Sequence, residues 1–190
     1  MSEQIVLDIG CGISKIPGSI GVDQYELSGV DIVHNLGQFP WPFENNSADH
    51  IIFSHSISHL EDISKVLTEC NRILKSGGII EIIAPHFSSD NFNTDPTHKI
   101  HLGYRSMNYF VDNTRSKYRY INQDIHFLLI NSEMSFRKCF PSWKRKVVFN
   151  PFKIIGFEKI INLFPRIYER FFCWIFPVSE IYFKLEKKND

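Results

Sequence analysis

Short apolar runs closed by polar turns fill the first ninety residues. Ile5-Val6-Leu7-Asp8-Ile9 is strand-like and stops at Gly10-Cys11-Gly12. Ser19-Ile20-Gly21-Val22-Asp23, Val30-Asp31-Ile32-Val33-His34 and His50-Ile51-Ile52-Phe53-Ser54 repeat the pattern. The period then changes. Ile63, Val66, Leu67, Cys70, Ile73 and Leu74 recur three and four apart, which predicts a helix over 63–74. Gly77-Gly78 is the expected end of that helix, with Lys75 placed to complement its dipole. Ile79-Ile80-Glu81-Ile82-Ile83-Ala84 reads as a strand buried on both faces. Strands alternating with helices predict a parallel sheet.

After Pro85 the texture changes. Residues 86–126 are polar, rich in His, Asn, Asp and Tyr, and without clear period. Such a stretch inside a compact domain is expected to be a functional loop or lid. Residues 136–190 return to apolar character, with strands expected at Lys146–Phe149 and Ile181–Leu185 and a helix near 158–175 between them. The chain therefore predicts one α/β domain over 1–190. Its sheet is expected to be mostly parallel with an antiparallel last strand near 179–186, with 86–126 as a loop or lid insertion and 136–190 as the closing strands and helix.

The 190 residues carry 21 basic and 21 acidic side chains, and this balance conceals a split. Residues 1–95 hold 4 basic and 13 acidic groups, residues 96–190 hold 17 and 8. Of 27 aromatic residues, 14 lie between Phe136 and Phe183. At 43% hydrophobic and 22% charged, the composition is globular, not disordered or fibrous. The most apolar stretch, 160–178, contains Pro165, Arg166, Glu169, Arg170 and Pro177, too polar for a bilayer span. No signal-like run opens the chain, and Cys11, Cys70, Cys139 and Cys173 match neither a zinc ribbon nor a disulfide framework. A cytoplasmic protein with reduced, mostly buried thiols is expected.

Leu7-Asp8-Ile9-Gly10-Cys11-Gly12 stands where a first parallel strand hands over to a loop. Glycines there let backbone approach a ligand at the carboxyl ends of the strands. A dinucleotide fingerprint wants a third Gly where Lys15 stands, and an acid about 20 positions on. Asp23 comes too early for a full crossover helix, and no Gly-Lys-Ser/Thr follows to make a phosphate-binding loop. A carboxylate at the tip of a second strand suits vicinal hydroxyls through charge-assisted hydrogen bonds, or caps its own turn.

Seven blocks in order resemble class I S-adenosylmethionine-dependent methyltransferases, most of all small bacterial methyltransferase-domain proteins. They are Leu7–Gly12, Gly21-Val22-Asp23, Asp31–Leu36, Phe39-Pro40-Trp41-Pro42-Phe43, Asn46-Ser47-Ala48-Asp49, His55–Leu60 and Glu69–Gly78, together spanning about residues 5–90. The resemblance implies a Rossmann-like, doubly wound, three-layer sandwich and S-adenosylmethionine as cofactor. It implies that Asp8, Gly10, Cys11 and Gly12 line the methionine end and that Asp23 takes the ribose hydroxyls. Asn35 and Leu36 would flank the adenine, and Ser54 and His55 would face the methyl group.

Five of the eight histidines lie between 55 and 101. Methyl transfer to a hydroxyl profits from a nearby base, and His59 and His86 are the candidate general bases. His98, His101 and Arg105 are expected to contact the acceptor. Asp90, Asp95, His98 and His101 also raise a metal reading, but Asp95-Pro96-Thr97-His98 makes good turn and cap chemistry, so no metal is expected. The basic groups Lys99, Arg105, Arg115, Lys117 and Arg119, with Lys144-Arg145-Lys146, suit an anionic small molecule better than nucleic acid. The function expected is methyl transfer to oxygen or nitrogen of a small polar acceptor, such as a sugar, phosphorylated sugar or glycan precursor. A non-catalytic binding partner of the same fold, or an enzyme acting on nucleic acid or protein, are the alternatives. The aromatic segment 158–176 is expected to cover the far face of the sheet, with peripheral membrane contact or a homodimer face as its other uses.

Overall fold

The computed structural model describes residues 4–112, 124–136 and 156–189. Seven strands form one sheet: β1 Val6–Ile9, β2 Ile20–Asp23, β3 Ile32–Val33, β4 Ala48–Ser54, β5 Leu74–Pro85, β6 Phe127–Ser135 and β7 Glu180–Lys187. Their order is β3-β2-β1-β4-β5-β7-β6. Strands β1 to β5 pair in parallel, and β7 runs antiparallel to both of its neighbours. The expected architecture, with its reversed last strand, is therefore present.

Helix α1, Ile63–Ile73, forms where the three-four period predicts it, and Asp62 caps it by accepting from the Lys65 amide at 3.1 Å. Val66, Leu67, Cys70 and Ile73 turn inward and are buried to 1% exposure or less. Buried Glu69 on the same helix takes the Trp41 amide and the Arg72 guanidinium, each at 2.6 Å, and so fastens the 39–45 loop. The helix stops earlier than expected. Leu74 already belongs to β5, and Gly77-Gly78 falls in a bulge, since Ala48 pairs with Leu74 but His50 pairs with Ile79. Gly77 has φ +73°, a conformation that a bulge needs and glycine gives cheaply.

The link from β1 to β2 is shorter than a parallel crossover normally allows, because Gly10–Ser19 contains no helix. Buried Asp8 replaces the missing helix. Its Oδ2 accepts the Ile16 amide at 2.9 Å, the Ser19 hydroxyl donates to the Ile16 carbonyl at 2.8 Å, and Ile16 plugs the core.

Within 86–126, the loop has more order than its composition suggests. It carries a short helix, α2 Asp90–Thr94, a helical turn at Ser106–Tyr109, and buried Phe92, Leu102, Met107 and Val111. Strand β6 was not among the expected elements, because Asn131, Ser132 and Glu133 interrupt its apolar pattern at a register irregularity. The expected strand Lys146–Phe149 lies outside the described residues, as do Arg115, Lys117, Arg119, Cys139 and Lys144-Arg145-Lys146.

The aromatic segment departs from expectation. Helix α3, Phe157–Leu163, is followed by a turn at Pro165–Ile167 and a π-helical turn at Tyr168–Phe172. It packs against β6, where the Asn162 amide group bonds both the Met134 amide (2.7 Å) and carbonyl (2.8 Å). Only Glu158, Ile161, Tyr168 and Cys173 of this segment are buried, while Leu163, Phe171, Trp174 and Ile175 are more than 60% exposed. It covers the sheet with one side and shows apolar surface on the other. No helix among the described residues is long and apolar enough to cross a membrane.

Candidate functional site

The carboxyl ends of β1, β2 and β4 converge on one rim. After β1 the chain turns back through Gly10 (φ +71°) and Gly12 (φ +53°), and the Gly10 and Cys11 amides donate to the Val22 carbonyl at 2.8 and 3.2 Å. A side chain at position 10 would collide with the Cβ of Ser56, whose hydroxyl donates to the Ile9 carbonyl. Asp23 is half-buried at the end of β2. Its two carboxylate oxygens accept the amides of Gly12 (2.9 Å) and Tyr25 (3.1 Å). Asp23 thus caps its own turn while keeping a face toward solvent. Burial, with Asp8 and Asp23 nearby, pushes the Cys11 thiol up to about 11, so it is a neutral packing group at neutral pH.

Above this rim lies a cleft of about 640 Å³. Gly10, Gly12 and Asp23 form its floor, Tyr25, Leu27, Asn35 and Leu36 one wall, and His55, Ser56, His59 and Lys99 the other. His55 adopts φ +61°, uncommon for a residue with a side chain, and its Nε2 lies 3.1 Å from the buried carboxylate of Glu180 on β7. Beside His59 the loop after α2 brings a second group of polar side chains. Thr97 donates its hydroxyl to Asp95 Oδ1 at 2.6 Å, and His59 Nδ1 lies 2.8 Å from the Thr97 oxygen. Because Thr97 has one proton to give and gives it to a carboxylate, it accepts from His59 Nδ1–H. The lone pair of a neutral His59 is then on Nε2. The rings of His59 and His98 are 4.5 Å apart. A glycine turn with a carboxylate, and imidazoles in the same cleft, suit a nucleoside-bearing ligand facing a polar acceptor.

Residues 24–82 match the family model described as a methyltransferase domain. In fold the chain is similar to a SAM-dependent methyltransferase from Archaeoglobus fulgidus, with a TM-score of 0.58 at 19% identity, covering 97% of this chain and 86% of that one. The YcgJ protein from Bacillus subtilis is similar too, with a TM-score of 0.56 at 17% identity, covering 99% and 93%. Over residues 24–82 the chain is similar to the methyltransferase-domain family, and its fold is that of these methyltransferases. In sequence it is 34% identical over 87 residues to Ribosomal RNA-processing protein 8 from Caenorhabditis briggsae, covering 42% of this chain and 25% of that protein. The chain thus spans about a quarter of the length of the curated relatives it matches. The match over residues 24–82 and the shared fold agree with the methyltransferase family that the sequence resembles.

The structure gathers some of the expected site residues and separates others. Gly10, Gly12, Asp23, Asn35, Leu36, His55 and His59 all line the cleft. Asp8 and Cys11 lie beneath it, buried at 1% and 8% exposure. Ser54 is inside β4, paired with Ile83, and its neighbour Ser56 reaches the cleft in its place. Asn35 turns its side-chain oxygen onto the Gly37 amide at 2.9 Å, so it shapes the wall as much as it faces a ligand. His86 is corrected as a candidate base. It is fully buried, with Nδ1 2.8 Å from the Ser88 hydroxyl and Nε2 3.4 Å from Glu169, against the rings of Phe87 and Tyr168. A ring closed on both nitrogens fastens the C-terminal segment to the rim and takes no proton from a ligand in the cleft. His101 is exposed, with its ring 4.4 Å from Phe92, and Arg105 is exposed ahead of the 106–109 turn. Neither lines the cleft.

Sequence reasoning missed Gln24, Tyr25, Leu27, Gln38 and Glu61 as wall residues. Tyr25 had a signal, standing two places after the acid that ends β2. Lys99, expected among the basic groups facing an anionic acceptor, lines the cleft, where the Lys99 and Ile100 amides donate to the Ser58 carbonyl at 2.7 and 3.1 Å.

Proposed function

We propose that the protein is an S-adenosylmethionine-dependent methyltransferase acting on oxygen or nitrogen of a small polar acceptor, of the sugar, phosphorylated sugar or glycan-precursor class. The observation that carries this reading is the cleft with two unlike sides. Its floor is a glycine turn backed by Asp23, and its far wall carries His55, His59 and Lys99. Its volume of about 640 Å³ suits a ligand-binding cleft.

The residues present fit the cofactor. The Gly10 and Gly12 backbone admits close approach, the Asp23 carboxylate has acceptor capacity left for hydroxyls, and Tyr25, Leu27 and Leu36 give apolar surface for a base. When bound, that cofactor supplies a methyl group on a positively charged sulfur, and transfer releases one proton from the acceptor. The protein's own contribution is to hold acceptor and methyl group in line and to keep water out. His59 and Lys99 place polar and cationic groups where an acceptor enters from the 86–112 side.

A second reading rests on a different observation. The curated relatives bear the name Ribosomal RNA-processing protein 8, which would make the acceptor a nucleotide in RNA. Transfer of labelled methyl groups to sugar nucleotides, but not to ribosomal RNA, supports the first reading, and the reverse supports the second. Calorimetric titration with S-adenosylhomocysteine tests what both share. No heat of binding would overturn both.

A further inference from the structure

Next to the cofactor cleft, the turn after α2 folds back over the 3₁₀ turn Ile57–His59 and brings three metal-ligating side chains together. One ring nitrogen each of His59 and His98 and a carboxylate oxygen of Asp95 lie within 4.8 Å of one another. The side chains behind them fix how they are presented. His98 Nδ1 donates to the Phe92 carbonyl at 3.1 Å, so a neutral His98 has its lone pair on Nε2, 4.0 Å from Asp95 Oδ2. Phe92 stacks on the same ring at 5.1 Å and 12°. His59 is fixed through Thr97 in the same tautomer, with Nδ1–H engaged. Metal-ligating histidines are typically held this way, with the far ring nitrogen donating to a carbonyl, hydroxyl or carboxylate that orients the ligating one.

Asp95 is oriented in turn, its Oδ1 accepting from the Thr97 hydroxyl at 2.6 Å and the Thr97 amide at 2.9 Å. Lys99, which lines the same cleft, is paired with Glu61 at 3.0 Å.

We infer that His59, Asp95 and His98 bind a divalent transition-metal ion at the mouth of the cleft. Imidazole nitrogen with one carboxylate suits zinc, cobalt, nickel, iron or manganese better than magnesium, which prefers oxygen ligands. Three protein ligands leave coordination positions open. His59 also lines the cleft, so those positions lie within reach of an acceptor. The acceptor class this selects is one with two neighbouring oxygens, a vicinal diol or a hydroxy acid, whose hydroxyl the ion would orient and acidify. That last step rests on the methyltransferase reading, while metal binding does not.

The test uses full-length protein, freed of any histidine tag and stripped with chelator, titrated with Co²⁺ and followed by visible absorption. One saturating equivalent is expected, displaced by Zn²⁺. Asp95→Asn retains an acceptor for Thr97 but loses the charge, and His98→Ala removes a ligand. Each should weaken Co²⁺ at least about tenfold while S-adenosylhomocysteine still binds. The inference is overturned by absence of a saturable Co²⁺ site, or by equal affinity in wild type and both variants. Co²⁺ binding without S-adenosylhomocysteine binding upholds the metal site and counts against the methyltransferase reading.

Discussion

Around the glycine turn, Asp8, Ser19 and Asp23 each hold a backbone group of the β1–β2 connection, and Ile16 closes the core beneath it. Between Phe157 and Phe176, nine large apolar side chains are exposed instead, and attachment rests on Ile161, Asn162, Tyr168, Glu169 and Cys173. Tyr168 closes the segment onto the residues that lead into β7. Its hydroxyl donates to the Phe176 carbonyl at 2.7 Å and accepts from the Val178 amide at 3.0 Å. One region is specified by directional bonds at defined positions and lines the cleft. The other is a surface with a few anchors. Substitutions in the turn should therefore act sharply and by position, while in the aromatic segment only the anchors should matter.

The largest effect is expected at Gly10. Gly10→Ala meets Ser56 and sits at φ +71°, and should cost about 3 kcal/mol in denaturant unfolding. Gly12→Ala has open space and only strain, so about 1 kcal/mol is expected there. Equal losses at the two positions would remove the distinction. In the aromatic segment, Ile161→Ala should cost about 2–4 kcal/mol by leaving a cavity. Phe171→Ala, at a side chain 62% exposed, should change stability by less than about 0.5 kcal/mol. A loss at Phe171 as large as that at Ile161 would show that its outward face is covered in solution.

The smallest effect concerns pH. Burial pushes the Glu69 carboxyl up, but bonds from Arg72 and the Trp41 amide outweigh it and hold the group below its usual value of 4.5. A carboxyl depressed in the folded state contributes stability above its unfolded pKa and loses it as pH falls through the folded value. Melting temperature should therefore decline as pH drops below about 4.5, and Glu69→Gln should flatten that decline. A wild-type curve unchanged down to roughly pH 3 would contradict the pairing.

The parallel half was legible because its signals are local: short apolar strands, the three-four period of α1, and glycines at the tip of β1. The position of β7 was legible for the same reason. Four features were not. The end of α1 was set by strand pairing, since hydrogen bonding of Leu74 to β4 overrode the glycine stop. Asp8 looked like a ligand group because a buried acid that closes a helix-free crossover has the same sequence as one that faces a cofactor. His86 follows β5 as expected, but Glu169, 83 residues away, decides where its ring is held. His59, Asp95 and His98 came together through the path of a loop with no period, and spacing alone paired His98 with His101 instead.

The central claim is that the cleft above the glycine turn holds S-adenosylmethionine with Asp23 as its hydroxyl acceptor. Calorimetric titration of S-adenosylhomocysteine into wild type and Asp23→Ala tests it directly. The account predicts one site in the wild type and a loss of about 2 kcal/mol in the variant, roughly thirtyfold in affinity, with its fold retained by circular dichroism. No binding to the wild type, or equal binding to both, would contradict it.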